Sequence, residues 1–158
     1  MEYYIRQASE KDIDQIQWIR RAVKENILSN PELVSNEDCR IFITQRGRGW
    51  VAVSEELILG FAIADLEDDN IWALFVHPDH EKQGIGKQLH DAMLNWYFYR
   101  GKTWVWLSTD PATRAAGFYE SQHWKRTGKL PNGEIKFEMT VDQWRDRTKE
   151  GNDTHKKS

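Results

Sequence analysis

The segment Val76 to Leu89, VHPDHEKQGIGKQL, constrains this chain more than any other. A strand-like apolar run ends at Val76, a charged turn follows, and Gly84 and Gly86 open a long amphipathic helix. Glycine has no Cβ, so the backbone at these two positions can turn sharply and let a ligand approach its amides. The first turn of a helix carries N–H groups with no intrahelical partner and a partial positive charge, which together favour phosphate oxygens. A strand, a tight turn and a helix start must therefore follow one another here, in a geometry suited to a phosphate.

Spacing separates the nucleotide-type readings of this passage. A Walker loop needs a first glycine where Glu81 stands and a Ser or Thr where Gln88 stands. A Rossmann fingerprint needs a third glycine at the position of Leu89. What remains resembles the acetyl-CoA signature of the GNAT N-acetyltransferase superfamily, (Gln/Arg)xxGx(Gly/Ala) after a strand that ends in a Val-x-Pro turn. Val76, His77, Pro78, Gly84, Ile85 and Gly86 carry that resemblance, and Glu81 occupies the Gln/Arg position. The resemblance implies coenzyme contacts along Phe75, Val76 and His77 and then Glu81, Lys82, Gln83, Gly84, Ile85, Gly86 and Lys87. Lys82 and Lys87 supply positive charge beside the loop.

Composition narrows the function class. A length of 158 residues suits one domain with its own core. A net charge of −3 argues against a nucleic-acid binder, which would present a basic face. The single Cys39 permits no intrachain disulfide and no cysteine metal site, as in a reducing cytoplasm. Cys39 is a weak candidate nucleophile, and His77 with His80 lacks a third metal ligand nearby, so no metal is expected. The N-terminus has no apolar signal region and no run approaches a membrane span, so a cytoplasmic protein is expected.

Patterning supplies the order of elements. Tyr3 to Gln7 reads as a strand, and Ser9 with Asp12 resembles a capping box ahead of Ile13, Ile16, Ile19 and Val23 at helical spacing. Ser29 to Pro31 interrupts that helix, Ser35 to Gln45 reads as a second one, and Gly47 and Gly49 end the helical part. Trp50 to Val53, Leu57 to Asp65 and Ile71 to Val76 read as strands. After Gly84, the stripe Ile85, Leu89, Ala92, Met93 and Trp96 packs a helix on the sheet. Thr103 to Leu107 reads as a strand, Thr113 to Ser121 as a helix and Glu134 to Thr140 as a closing strand. The order βααβββαβαββ describes an α/β three-layer domain around a mixed, mostly antiparallel sheet over residues 1–144. The same order is that of the GNAT fold, which implies a splayed cleft between the fourth and fifth strands. Residues 145–158 read as a polar, flexible tail.

The second half of the resemblance is ATRAAGFY, Ala112 to Tyr119, similar to the family's AsnxxAxx(Phe/Leu)Tyr helix. Ala112 replaces the Asn, and Thr109, Asp110 or Thr113 is available as a cap. The resemblance implies coenzyme contacts at Thr113, Ala115, Phe118 and Tyr119, and gives Tyr119 the role of acid for the departing thiolate. Acyl transfer to an amine also needs a proton acceptor, because an amine of pKa ~10.4 leaves about one molecule in 2,500 neutral at pH 7. A backbone N–H at Val76 or its neighbour would hold the oxyanion. The fourth strand, Ile71 to Val76, has no carboxylate, so Asp65 and Glu67 are the candidate bases by connectivity, with His77 a further candidate.

These readings converge on an acetyl-CoA-dependent N-acetyltransferase acting on a primary amine of a small molecule or peptide by direct attack in a ternary complex. A coenzyme-binding sensory module, or a transferase of another acyl group or onto protein amines, stays open. The expected partners are acetyl-CoA and an amine acceptor, with neither nucleic acid nor membrane, and a homodimer as the candidate assembly. Trp18 to Asn30 and the hairpin at Glu67 are the segments expected to meet the acceptor.

Overall fold

Strand β1 (Tyr4–Gln7) feeds a helix start organised around the Asp12 carboxylate. Ser9 N–H donates to the Asp12 carboxylate at 2.8 Å, and Arg6 grips the same carboxylate with two bonds of 2.8 Å each. Burial works against the Asp12 charge, yet Arg6 and the Ser9 N–H outweigh it and hold the carboxyl below its ordinary range. Helix α1 (Ile13–Lys24) follows and buries Ile13, Ile16 and Ile19 as its spacing requires. The structure, a computed structural model, describes residues 2–24 and 34–147, so the interruption at Ser29 to Pro31 lies outside the described residues. The chain divides into two units, Met1–Tyr99 and Arg100–Ser158.

In the first unit, Ser35 caps helix α2 (Asn36–Ile41) by accepting the Asp38 N–H at 3.0 Å while Asp38 accepts the Ser35 N–H at 3.1 Å. The helix then widens into a π-helical turn, Phe42–Arg46. The helical part ends at Arg46 with Gly47 as its C-cap, and Gly47 and Gly49 then lie in strand β2 (Gly47–Ser54). A Cβ on Gly47 would sit 1.8 Å from the Ala64 carbonyl oxygen, so the glycine serves close approach of two strands. Strands β1, β2, β3 (Leu57–Asp65) and β4 (Asn70–Val76) pair antiparallel in sequence order.

Side-chain alternation in this sheet builds a helix layer on each face. Val51, Val53, Phe61, Ile63 and Ala73 join Ile13, Ile16, Ile19, Cys39 and Ile43 in one apolar core. Trp50 meets Trp96 edge-on on the other face, where helix α3 (Ile85–Tyr99) packs. Within β4, Ile63 pairs with Ala73 and Ala64 with Ile71, which leaves Trp72 as an extra residue in a β-bulge. The bulge turns Trp72 to the same side as Phe75, and the Arg20 guanidinium lies 4.9 Å from the ring of the first and 5.4 Å from that of the second.

Helix α3 buries the stripe its sequence suggests and widens it. Ile85, Leu89 and Met93 are sealed, Trp96 packs edge-on against Trp50, and His90, Leu94, Tyr97 and Phe98 extend the buried face, with Ala92 and Trp96 half-buried. The face is wider because His90 and Tyr97 carry their own polar partners inward. Tyr97 donates its hydroxyl to Asp69 at 3.0 Å, and His90 Nδ1 lies 2.9 Å from the Asp91 carboxylate.

The second unit contains strand β5 (Trp104–Thr109), helix α4 (Arg114–Ser121), strand β6 (Lys125–Lys129) and strand β7 (Ile135–Thr140). Strand β7 is central and pairs antiparallel with both others. The sequence order includes two closing strands, and the one not located from pattern is β6, whose residues are all exposed. Its run KRTGK has no apolar alternation to read, and its Lys and Arg side chains suit an edge. A final helix occupies residues 141–147. Gln143 accepts the Thr140 N–H at 2.8 Å and Thr140 Oγ1 accepts the Gln143 N–H at 3.2 Å, a Thr-x-x-Gln capping box. Arg145 to Arg147 thus extend a helix instead of starting a tail, and the rest of the expected tail lies outside the described residues.

Candidate active site

At the Val76 end of β4, the ladder to β3 closes with His77 N–H donating to the Leu59 carbonyl at 2.8 Å. Backbone groups alternate along a strand, so the Val76 N–H points away from β3. Beyond it the chain makes a 3-10 turn, Pro78–His80. Lys82 and Gly84 then adopt left-handed backbone, at φ of 66° and 79°. A non-glycine residue in that region costs roughly 1–2 kcal/mol.

Gln88 N–H donates to the Gly84 carbonyl at 3.1 Å, which makes Gly84 the cap of α3. A glycine cap has no side chain to fold back onto the first-turn amides of Ile85, Gly86 and Lys87. A Cβ on Gly86 would meet only Val76 Cγ2, at an ordinary 3.6 Å, and one on Gly84 only the Tyr3 hydroxyl at 4.0 Å. Internal packing therefore does not demand glycine at 86. An uncapped helix start with room beside it fits a pyrophosphate. Glu81, Lys82 and Gln83 are exposed on the turn. Lys87 is tied to Asp91 at 2.8 Å, which offsets the positive charge the sequence assigns to it.

The other candidate groups of this unit lie elsewhere on β4 or its neighbours. Phe75 is half-buried, edge-on to Phe61. Asp65 pairs in register with Asn70, whereas Gly60 pairs with Val76, so Asp65 and Glu67 belong to the opposite end of β4. That strand is ~20 Å long at ~3.3 Å per residue. Asp65 is sealed, with one oxygen 3.1 Å from Arg46 Nε and the other 2.7 Å from Arg46 Nη2. Glu67 is exposed, 3.1 Å from the same Nε, and Asp68 accepts from Nη2 at 2.9 Å. This crowd of carboxylates raises the Arg46 pKa, first through its bond to Asp65. Cys39 is sealed in the core, where burial pushes its thiol up and away from nucleophile behaviour.

In the second unit, Asp110 receives the Ala112 N–H at 2.8 Å and Thr113 Oγ1 donates to the Asp110 carbonyl at 2.8 Å, so Asp110 and Thr113 together organise the start of α4. Tyr119 is buried on that helix, its ring against Phe118, Trp124 and Phe137. Burial raises its phenol pKa well above the usual value, so it stays protonated through neutral pH. Its hydroxyl makes no hydrogen bond among the described residues. Ala115 is half-buried, and Ala116 is the alanine sealed against the sheet side of α4.

A family model described as an acetyltransferase (GNAT) domain matches residues 45–126, which contain both the glycine loop and the Tyr119 helix. The chain belongs to the GNAT acetyltransferase family. Human N-acetyltransferase 8 is 33% identical over 56% of this chain, and the chain spans only 43% of that relative's length. Among solved structures, the GNAT fold is matched by the PaiA N-acetyltransferase of Thermoplasma acidophilum in complex with coenzyme A. That pair has a TM-score of 0.78 at 17% identity and covers 89% of this chain and 100% of the other. YncA of Salmonella typhimurium with its cofactor acetyl-CoA gives a TM-score of 0.75 at 16% identity over 89% and 95% of the two chains. At such identities the likeness is one of fold.

For a GNAT domain, the structure brings Val76, His77, Gly84, Ile85, Gly86 and Lys87 together at one strand end and helix start. Asp65 and Glu67, the candidate bases by connectivity, lie instead at the Asn70 end of β4. Connectivity suggested proximity because they precede β4 in the chain, but an antiparallel hairpin puts its turn at the far end of the second strand. Sequence reasoning missed the side-chain role of His77, which accepts the Asp79 N–H at Nδ1, 3.1 Å away. The x-Pro context of the turn was the available signal. Among the described residues, no group of three metal-ligating side chains is assembled, and no helix is long and apolar enough to cross a membrane.

Proposed function

We propose that this GNAT domain transfers an acetyl group from acetyl-CoA to a primary amine of a small molecule or peptide by direct attack in a ternary complex. The observation that carries this reading is the uncapped start of α3 behind Gly84, with its open side at Gly86. The coenzyme complexes of PaiA and YncA, which share the fold, support it.

In this reading, the amides of Ile85, Gly86 and Lys87 bind pyrophosphate oxygens by hydrogen bonds and by the dipole of α3. The Val76 N–H donates to the thioester oxygen as negative charge grows on it, a contribution of about 2.7–4 kcal/mol for such a donor. The amine nitrogen bonds to the carbonyl carbon, the carbon–sulfur bond breaks, and the Tyr119 hydroxyl donates its proton to the departing sulfur. The phenol holds its proton at neutral pH, and burial, by raising its pKa, makes the developing thiolate charge and not the acidity of the phenol the driving force for transfer. The proton of the attacking amine leaves through water, because Asp65 is committed to Arg46 and lies with Glu67 at the opposite end of β4.

Thiol release from acetyl-CoA across an amine panel, with product mass measured, tests the reading. Amine-dependent release with a mass gain of one acetyl group is the expected result. Coenzyme binding without turnover across the panel would replace it with the sensory reading. Tyr119→Phe should lower kcat about 10²-fold while leaving acetyl-CoA affinity within about twofold. An unchanged kcat would remove Tyr119 from the mechanism.

A further inference from the structure

The passage from β4 into the coenzyme loop is organised through a single side chain. Pro78 has no N–H, so the first backbone donors of the 3-10 turn are those of Asp79 and His80. His77 satisfies both: its Nδ1 accepts the Asp79 N–H at 3.1 Å, and its carbonyl accepts the His80 N–H at 2.9 Å. Its own N–H is the last rung to β3, at Leu59. All three of these contacts involve His77.

The imidazole is held from outside as well. The indole of Trp18, on α1, stacks on it with ring centres 4.4 Å apart and planes 25° apart, and the His80 ring meets it edge-on at 5.9 Å. His77 is only 9% exposed as a result, while Trp18 keeps 39% of its surface in solvent. An Nδ1 that accepts an N–H carries no proton, so the neutral ring has its proton on Nε2. In that tautomer the Nδ1 lone pair is engaged by the Asp79 N–H.

We infer that His77 is a positioning residue of the acetyltransferase site, a latch that joins α1 to the coenzyme loop through Trp18, the imidazole and the Asp79 N–H. The inference rests on the coenzyme-binding reading above and deepens it. The latch fixes the course of the chain from Pro78 to Gly84 and thereby the direction in which the first turn of α3 presents its amides. An Asn can reproduce the acceptor of such a turn, and a Phe can reproduce the stacked ring, so the two halves of the latch are separable by substitution.

Backbone hydrogen exchange at the Asp79 amide reads the latch without any coenzyme. His77→Phe should speed that exchange about 2- to 12-fold, the range for one net hydrogen bond, and His77→Asn should stay near the wild-type rate. Acetyl-CoA titrations should follow the same order, with KM raised about 2- to 12-fold in His77→Phe and kcat nearly unchanged. Trp18→Ala, which leaves the hydrogen bond but frees the ring, should fall between them and serves if His77→Phe does not fold. Wild-type exchange at Asp79 in His77→Phe, or a His77→Asn variant as fast as His77→Phe, would overturn the latch. A loss of kcat at constant KM would overturn it too, making His77 a catalytic group. Wild-type protein that shows the expected exchange pattern but binds no acetyl-CoA would overturn the coenzyme reading and leave the latch standing.

Discussion

The two ends of strand β4 make opposite use of polar groups. At the Asn70 end, three carboxylates converge on the Arg46 guanidinium, and the sealed Asp65 has both oxygens engaged by it. At the Val76 end, the strand end and helix start present backbone amides of Val76, Ile85, Gly86 and Lys87, while the His77 ring accepts the Asp79 N–H and the Lys87 side chain is tied to Asp91. Charges that satisfy one another hold a fold but leave nothing for a ligand. Amides that cannot be satisfied within their own helix offer the ligand a fixed set of donors.

This contrast can be broken at either end. The largest effect is expected for Arg46→Ala, which leaves the Asp65 charge buried beside Glu67 and Asp68; the melting temperature should fall by roughly 10 °C while acetyl-CoA affinity in the folded protein is kept. A loss of affinity at unchanged stability would mean that the two ends are not independent. Next comes Gly84→Val, which places a β-branched side chain at a φ of 79° and should weaken acetyl-CoA binding about tenfold by calorimetry. The smallest effect is expected for Lys82→Gly. It relieves the left-handed strain at φ 66° and should raise stability by ~1 kcal/mol in urea unfolding, with coenzyme affinity equal or slightly tighter.

Much of the Val76 end was legible in the sequence, because its chemistry is written in local signals. Glycines, a proline and the onset of a 3.6-residue period are neighbours in the chain as they are in space. The capping boxes at Ser9 and Ser35 were readable for the same reason. The Asn70 end was not. Arg46 and Asp65 are 19 positions apart, and nothing in either residue announces the other. Gly47 was legible as the end of the helical part, but its second role, the close approach to Ala64, is set by a partner strand and leaves no local mark. The full width of the buried face of α3 was not legible because a buried His and Tyr count as polar in any apolar stripe, although their partners Asp91 and Asp69 allow them inside. Strand β6 carries no alternation and owes its conformation to pairing with β7.

The extra residue at Trp72 acts as a parity change in strand β4. A strand without it would carry one alternation from Asn70 to Val76, so any shift at the charged end would also decide which way the Val76 amide faces. Beyond the bulge, Ala73, Leu74, Phe75 and Val76 pair one-to-one with Ile63, Ala62, Phe61 and Gly60. The register that decides which way the Val76 amide faces is thus set on the Val76 side of the bulge, apart from the hairpin at Glu67.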